Sequence, residues 1–145
     1  DVYYSGTVSA AAEAALLGIP AFAISTEANG APELGPAAEF AQRVARAILQ
    51  HGLPPQALLN VNVPLRPRGT WRITHQAPRN GSEEAHEGFD PWGVPFYWLG
   101  GRSRRLLETE GSDYQAFLRG EISITPLSVD RTHRGLLQDL RAWSF

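Results

Sequence analysis

PAFAIS at residues 20–25, AAEFAQRVARAILQH at 37–51 and LLNVNVP at 58–64 are the segments that decide the fold. The first and the last are short and nearly all apolar, which is typical of strands covered on both faces of a parallel sheet. In the middle segment apolar residues recur every three or four positions, which predicts an amphipathic helix that ends before Gly52. Strand, helix and strand in this order predict an α/β fold with a doubly wound, mostly parallel sheet, in which sites form at the carboxyl ends of strands.

Further elements are predicted on both sides of this unit. The triplet Ser5-Gly6-Thr7 opens a small-residue run over 8–17 that closes at Gly18, which predicts a helix. The last third of the chain is predicted to hold a short helix over 112–118, an alternating strand over 122–127 and a terminal amphipathic helix over 132–145.

An arm is predicted between these regions. Residues 70–74 and 94–99 are interpreted as the two strands of an extended hairpin, with a polar stretch over 77–88 and a turn over 89–93 between them. Its apolar surface needs a partner. The chain then divides into 1–65, the second half of the core; 66–110, the hairpin arm; and 111–145, a strand that returns to the core and a C-terminal oligomerisation helix.

Composition excludes several classes of protein. Of the 145 residues, 43% are hydrophobic and 19% are charged, so the chain is not a disordered polyelectrolyte. The net charge of -2 gives no broad basic face for a nucleic-acid polymer. All 13 basic residues are arginine and there is no cysteine, which excludes a Schiff-base lysine, disulfides and thiolate metal sites. No apolar run reaches the ~18–20 residues of a membrane span. We expect a cytoplasmic protein, and we expect a part of the fold upstream of Asp1, because the chain has no Met at its start.

The strongest local candidate for chemistry is the start of the first helix. The backbone N–H groups of a first helical turn have no intrahelical partners, Gly6 lets a ligand approach the backbone, and the hydroxyls of Ser5 and Thr7 add donors. These features predict a phosphate site at Ser5, Gly6 and Thr7. A plain N-cap explains the same residues, and spacing alone does not decide between the two.

Four weaker candidates have ordinary explanations beside the functional ones. Residues 82–87 hold three carboxylates and His86, which suit an oxygen-rich metal site or a solvated loop. The other histidines are scattered and indicate no catalytic triad. Arginines after Gly101 suit a phosphate or a solvated loop. Exposed aromatic side chains of the arm suit base stacking or subunit contact. The other histidines are His51, His75 and His133. The arginines are Arg102, Arg104 and Arg105, and the aromatic residues are Trp71, Trp92, Phe96, Tyr97 and Trp98.

Motifs in a fixed order give the chain a family resemblance. They are YSGTVSAA at 4–11, GIPAFAIS at 18–25, LNVNVP at 59–64, RIT at 72–74, DPWG at 90–93 with FYWLG at 96–100, GSDY at 111–114 and GEISITPL at 120–127. In this order they resemble the second half of the survival protein SurE family, over essentially the whole chain.

The resemblance implies a Rossmann-like core and a metal-dependent phosphatase of the 5'/3'-nucleotidase type, which hydrolyses nucleoside monophosphates. It implies a divalent ion, Mg²⁺ or Mn²⁺, bound by residues upstream of this chain, so that no metal ligand falls here and Asp1 is not one. The family's Ser-Gly-Thr segment lies beside the phosphate, which favours phosphate contact at Ser5, Gly6 and Thr7. No catalytic residue is assigned.

The resemblance also implies assembly. Family members form dimers and tetramers through the hairpin and the terminal helix, which favours subunit contact for the aromatic arm. The chain alone is expected to be inactive, since it would supply part of the phosphate site and the oligomer surfaces only. The alternative is a noncatalytic assembly or binding module that uses the arm and the C-terminal helix.

Overall fold

The computed structural model describes residues 2–27, 33–80, 85–99, 105–106 and 109–144. A short 3-10 turn, Val2–Tyr4, precedes the first helix. The helices are α1 (Gly6–Leu16), α2 (Gly35–His51), α3 (Asp113–Leu118) and α4 (Arg134–Leu140). The strands are β1 (Ala21–Thr26), β2 (Ala57–Val63), β3 (Trp71–Ile73), β4 (Arg79–Asn80), β5 (Ala85–Phe89), β6 (Pro95–Leu99), β7 (Arg105–Leu106) and β8 (Ile122–Ser128).

Four of these strands form the central sheet, in the order β1-β2-β8-β3. The strand pairs β1–β2 and β3–β8 are parallel, and β2–β8 is antiparallel. The sheet is thus mostly parallel, as predicted, and the α/β class is confirmed. The predicted helices and strands over 8–17, 20–25, 37–51, 58–64, 112–118 and 122–127 are all present, with ends shifted by a few residues.

Helices cover both faces of the sheet. On one face, Phe40, Val44 and Ile48 of α2 pack against Val61 and Val63 of β2. On the other face, Val8, Ala11 and Ala15 of α1 pack against Ala23 and Leu58. The small side chains of α1 let its backbone approach the strands closely, which explains why this helix is so rich in alanine.

The face that carries α1 becomes polar further along β2 and β8. Asn62 Nδ2 donates to Ser123 Oγ at 3.3 Å, and the hydroxyls of Thr74 and Thr125 lie 2.8 Å apart. Ser123 and Thr125 are almost fully buried. Because a buried hydroxyl without a partner destabilises the fold, these pairs tie β2, β8 and β3 together.

The predicted pairing within the arm is wrong for one strand. Residues 71–73 do not pair with 94–99; they form β3 in the central sheet, parallel to β8. An ion pair holds β3 there, with the Arg72 guanidinium donating to both carboxylate oxygens of Glu121 at 2.9 and 3.1 Å.

The hairpin that does form joins β5 to β6. Its first strand, β5, includes residues 85–88, which we expected to belong to a polar loop. Its turn lies where predicted, and the Asp90 carboxylate accepts hydrogen bonds from the N–H groups of Trp92 and Val94 at 2.9 and 2.8 Å. Gly93 has a φ of 80°, which suits glycine in a tight turn.

The C-terminal helix is shorter than predicted. The expected range was 132–145, and α4 spans Arg134–Leu140. The Asp130 carboxylate accepts from the N–H of Thr132 at 2.9 Å, and His133 Nδ1 accepts from the N–H of Leu136 at 2.9 Å. These two local bonds hold the chain in a turn and then cap the helix at His133. None of its residues is buried. The division into 1–65, 66–110 and 111–145 stays a prediction.

Candidate functional site at the start of the first helix

The first turn of α1 is built around Ser5. Its backbone is extended, with φ -86° and ψ 115°, and its Oγ accepts from the N–H of Val8 at 3.2 Å. Its carbonyl accepts from the N–H and the hydroxyl of Ser9, both at 2.9 Å. Ser5 is therefore an N-cap, and one of the two interpretations of the segment is realised in the structure.

The cap leaves other groups of this turn available. Gly6 and Thr7 are exposed, and a Cβ at Gly6 would meet nothing within 4 Å. The first N–H groups of a helix lack intrahelical partners, and the Ser5 hydroxyl accepts only the one from Val8. The first turn contains no acidic residue, so the positive end of the helix dipole is not offset there. The turn can accept an anion electrostatically, through the N–H groups of Gly6 and Thr7.

The first turn of α1 is attached to the sheet through Val8. Val8 belongs to the same apolar cluster as Leu58, at the start of β2, and Leu127 of β8 packs against that cluster. Leu58 pairs with Leu127 in the sheet. The first turn of α1 therefore shares its apolar cluster with the start of β2 and the end of β8.

A groove runs beside this turn. Its lining includes Val8 and Ser9 of α1 and Leu127 and Ser128 of β8. Arg131 also lines the groove, and its guanidinium lies 5.3 Å from the centre of the Tyr3 ring. Sequence reasoning missed Arg131, because nothing in the local pattern places residue 131 next to residue 3. A cation within this groove adds to the positive field of the helix start.

Those of the remaining candidates that the structure describes are not brought together. Ser82, Arg102 and Arg104 lie outside the described residues, as do Glu83 and Glu84. Among the residues that the structure describes, no group of three or more His, Asp or Glu side chains could hold a metal ion. The five aromatic residues do not form one platform, since Trp71 belongs to the central sheet and Trp92 and Trp98 to the hairpin.

The histidines have separate positions. His51 ends α2, His133 caps α4 and His86 lies on β5. The ring of His75 lies between two backbone carbonyls, with Nδ1 3.0 Å from the Gln76 oxygen and Nε2 3.0 Å from the Glu110 oxygen. The carbonyls of Gln76 and Glu110 raise the pKa of His75, with a smaller contribution from the Asp113 carboxylate, because all three favour the charged ring.

The chain is similar to known proteins in both sequence and fold. The profile of the family described as "Survival protein SurE" matches residues 1–83, more than half of the chain. The chain belongs to the SurE family. It is 44% identical to "5'-nucleotidase SurE" of Geobacter metallireducens over 149 aligned residues, which is 100% of this chain and 59% of that protein. It is also 44% identical to the protein of the same name from Geobacter sulfurreducens, over 99% of this chain and 56% of that protein.

The fold agrees with a solved SurE structure. "Crystal Structure of Sure Protein from Aquifex aeolicus" superposes with a TM-score of 0.78 and 33% sequence identity, over 97% of this chain and 58% of that one. The predicted family membership is therefore confirmed, together with the Rossmann-like fold. This chain spans less than three fifths of the length of these SurE relatives.

In the described ranges, no three His, Asp or Glu side chains lie close enough together to hold the divalent ion that the SurE resemblance implies. We therefore assign no step of a reaction to a metal held by these residues. Among the helices that the structure describes, none is both long and apolar enough to span a bilayer.

Proposed function

We propose that this chain belongs to a phosphatase of the 5'/3'-nucleotidase type, which hydrolyses nucleoside monophosphates to nucleoside and phosphate. The observation that carries the proposal is the match along the whole chain to two proteins that bear the name 5'-nucleotidase. The chain alone would be inactive. A divalent ion, Mg²⁺ or Mn²⁺, would be bound mainly by residues outside these 145.

The part of this chain in the proposed reaction is to hold the phosphate. Gly6 and Thr7 would donate backbone N–H groups, and the Thr7 hydroxyl would add a third donor. Donors fixed in advance stabilise negative charge that develops on phosphoryl oxygens. The Ser5 hydroxyl would donate its own proton to the phosphate while it accepts from the Val8 N–H, and this second bond fixes the turn that presents the donors.

Phosphate contact can be tested on this chain without any turnover. Titration with inorganic phosphate should shift the amide resonances of Gly6, Thr7 and Val8 in a ¹H–¹⁵N spectrum. The first turn of α3 is the internal control, because it also begins with a serine cap, at Ser112, but carries Asp113 in that turn. Shifts of equal size at α3 would mean that phosphate binds weakly to any helix start, and they would refute a specific phosphate contact at α1.

Activity needs the complete protein. AMP, GMP and CMP should be hydrolysed with Mn²⁺, and a chelator should abolish turnover; equal rates with and without chelator would refute the proposed metal dependence. No turnover under any condition, with the assembly intact, would favour the alternative of a noncatalytic assembly module.

We propose that the arm contacts a second copy of this chain, so that the protein forms a homodimer or homotetramer. The hairpin β5–β6 has only two strands, and such a hairpin is marginally stable without a partner. Its apolar side chains face solvent, with Trp92 85% and Trp98 68% exposed. Leu136 and Leu137 of α4 are also exposed, and they would supply a second apolar surface for this contact.

Light scattering tests the arm. The double variant Tyr97→Asp and Trp98→Asp should lower the mass of the assembly. Leu49→Asp is the matched control, because Leu49 is 87% exposed but lies on α2. An unchanged mass in the double variant would remove the arm from the interface, and a loss of mass in both variants would point to general destabilisation instead.

A further inference from the structure

The base of the arm is closed by a set of bonds around His75. The chain leaves the central sheet at His75 and returns at Ser112, which forms a parallel bridge with His75. The N–H of His75 donates to the Gly111 carbonyl at 3.2 Å, and the N–H of Asp113 donates to the His75 carbonyl at 2.8 Å. Backbone bonds at His75 therefore join the outgoing and returning segments, which also pair further along the arm through β4 and β7.

The imidazole adds a second connection between the same segments. Its Nε2 lies 3.0 Å from the Glu110 oxygen, on the returning segment, while its Nδ1 lies 3.0 Å from the oxygen of Gln76, on the outgoing one. The ring also packs beside Gly111, where a Cβ would lie 3.7 Å from Cδ2 and Nε2. Both acceptors are carbonyls, which cannot donate.

Two carbonyl acceptors make this connection depend on the charge of the ring. A neutral imidazole has one N–H, so one of its nitrogens would face a carbonyl oxygen lone pair to lone pair. The imidazolium has two N–H groups and satisfies both acceptors. We propose that His75 is a pH-sensitive latch, whose protonated ring fastens the base of the arm to the start of α3 and whose deprotonation releases one of the two carbonyls.

The groups around the His75 ring favour its protonated form. From α3, the Asp113 carboxylate favours the cation, although it also accepts from the N–H of Ala77 at 2.8 Å and so stays near the arm's base. From the returning segment, Glu110 presents its carbonyl. Gln76 is neutral. Within the described part of the chain, no cationic side chain contributes to the shift of the His75 pKa, and desolvation is the one cause that opposes protonation.

The sign of the pH effect follows. The pKa of His75 is raised in the folded chain, so its contribution is complete below the ordinary histidine value near 6.5 and is lost as the pH rises through the raised pKa. Acidification therefore closes the latch and alkaline pH opens it.

Nuclear magnetic resonance tests the latch on the chain as it is. The His75 ring should titrate above the ordinary histidine value near 6.5. Above the His75 midpoint, exchange protection of the Asp113 amide should fall by roughly two- to tenfold after correction for intrinsic rates, as for the loss of one ordinary hydrogen bond.

Variants separate the latch from general stability. His75→Gln, which is neutral, should have low protection at Asp113 at every pH, and His51→Gln should behave as the parent chain. If the His75 ring titrates at or below the ordinary histidine value near 6.5, or if protection at Asp113 does not change with pH, the proposal is refuted. The ring titration needs no variant, so it decides the matter even if His75→Gln does not fold.

Discussion

Replacing Ser5 by alanine tests how much of the first turn is held by its cap. The change removes the acceptor that lies 3.2 Å from the Val8 N–H, and Val8 itself is buried against the sheet. Loss of a serine cap costs about 1 kcal/mol, within a range of about 0.5–2. With an unfolding entropy of about 2 cal/mol/K per residue, a chain of this length should lose about 3 °C in Tm.

Thr7→Ala is the matched control for that experiment. Thr7 lies in the same turn and is exposed, and alanine favours a helix, so its Tm should stay within about 1–2 °C of the parent. Thermal unfolding followed by far-ultraviolet circular dichroism measures both. Under the proposed function, both variants should also weaken the phosphate-induced shifts at Gly6. An equal Tm for Ser5→Ala and Thr7→Ala would refute the capping argument, and unchanged phosphate shifts in Thr7→Ala would refute its part in binding.

Three further predictions concern other parts of the chain. Thr125→Val should cost about 1–3 kcal/mol in chemical denaturation because it leaves the buried Thr74 hydroxyl unpaired, and the double variant Thr74→Val with Thr125→Val should recover most of that loss; a double variant less stable than the single one would contradict this. Gly88→Ala should disturb the hairpin, since its Cβ would lie 2.6 Å from Phe96 Cζ, and should change the ring resonances of Phe96 while leaving those of Phe40 in the core unchanged. The Arg72 guanidinium lowers the pKa of Glu121, so the stabilisation from this pair is present above the ordinary Glu range and is lost as the pH falls through the lowered pKa. In Arg72→Ala the Glu121 carboxyl should titrate at a higher pH than in the parent, and an unchanged titration would show that the ion pair is not formed in solution.

The core could be predicted because its signals are local. The period of apolar residues in 37–51 needs only the chain itself to indicate a helix, and Gly18 and Gly52 mark the ends of helices through their positive φ of 76° and 73°. The partner of strand 71–73 could not be predicted in this way. Alternation identifies a strand but carries no information about its neighbour, and here the choice depends on Glu121 and Thr125, about fifty residues away.

The candidate site shows the same limit. A serine before a helix indicates a cap from sequence alone, and the Ser5 bond to Val8 agrees with it. Which residues lie beside the first turn of α1 depends on the packing of this helix against the sheet, where Leu58 pairs with Leu127. The contact of Arg131 with Tyr3 likewise depends on tertiary packing, because the two residues are far apart in the sequence. Local pattern therefore predicts the groups that the turn presents, while tertiary packing alone decides which charge stands beside them.

The segment LLNVNVP specifies more than the presence of a buried strand, because its asparagines also specify the register of that strand. Its valines, Val61 and Val63, face α2, while Asn62 faces the opposite side and donates to Ser123. Side chains alternate with a period of two, so a slip of one residue against β8 would turn Asn62 toward the apolar cluster under α2 and leave its amide unpaired there. The asparagines thus reduce the apolar area of one face but specify a single register. That register also sets Leu58 opposite Leu127, and both side chains pack in the apolar cluster that covers α1.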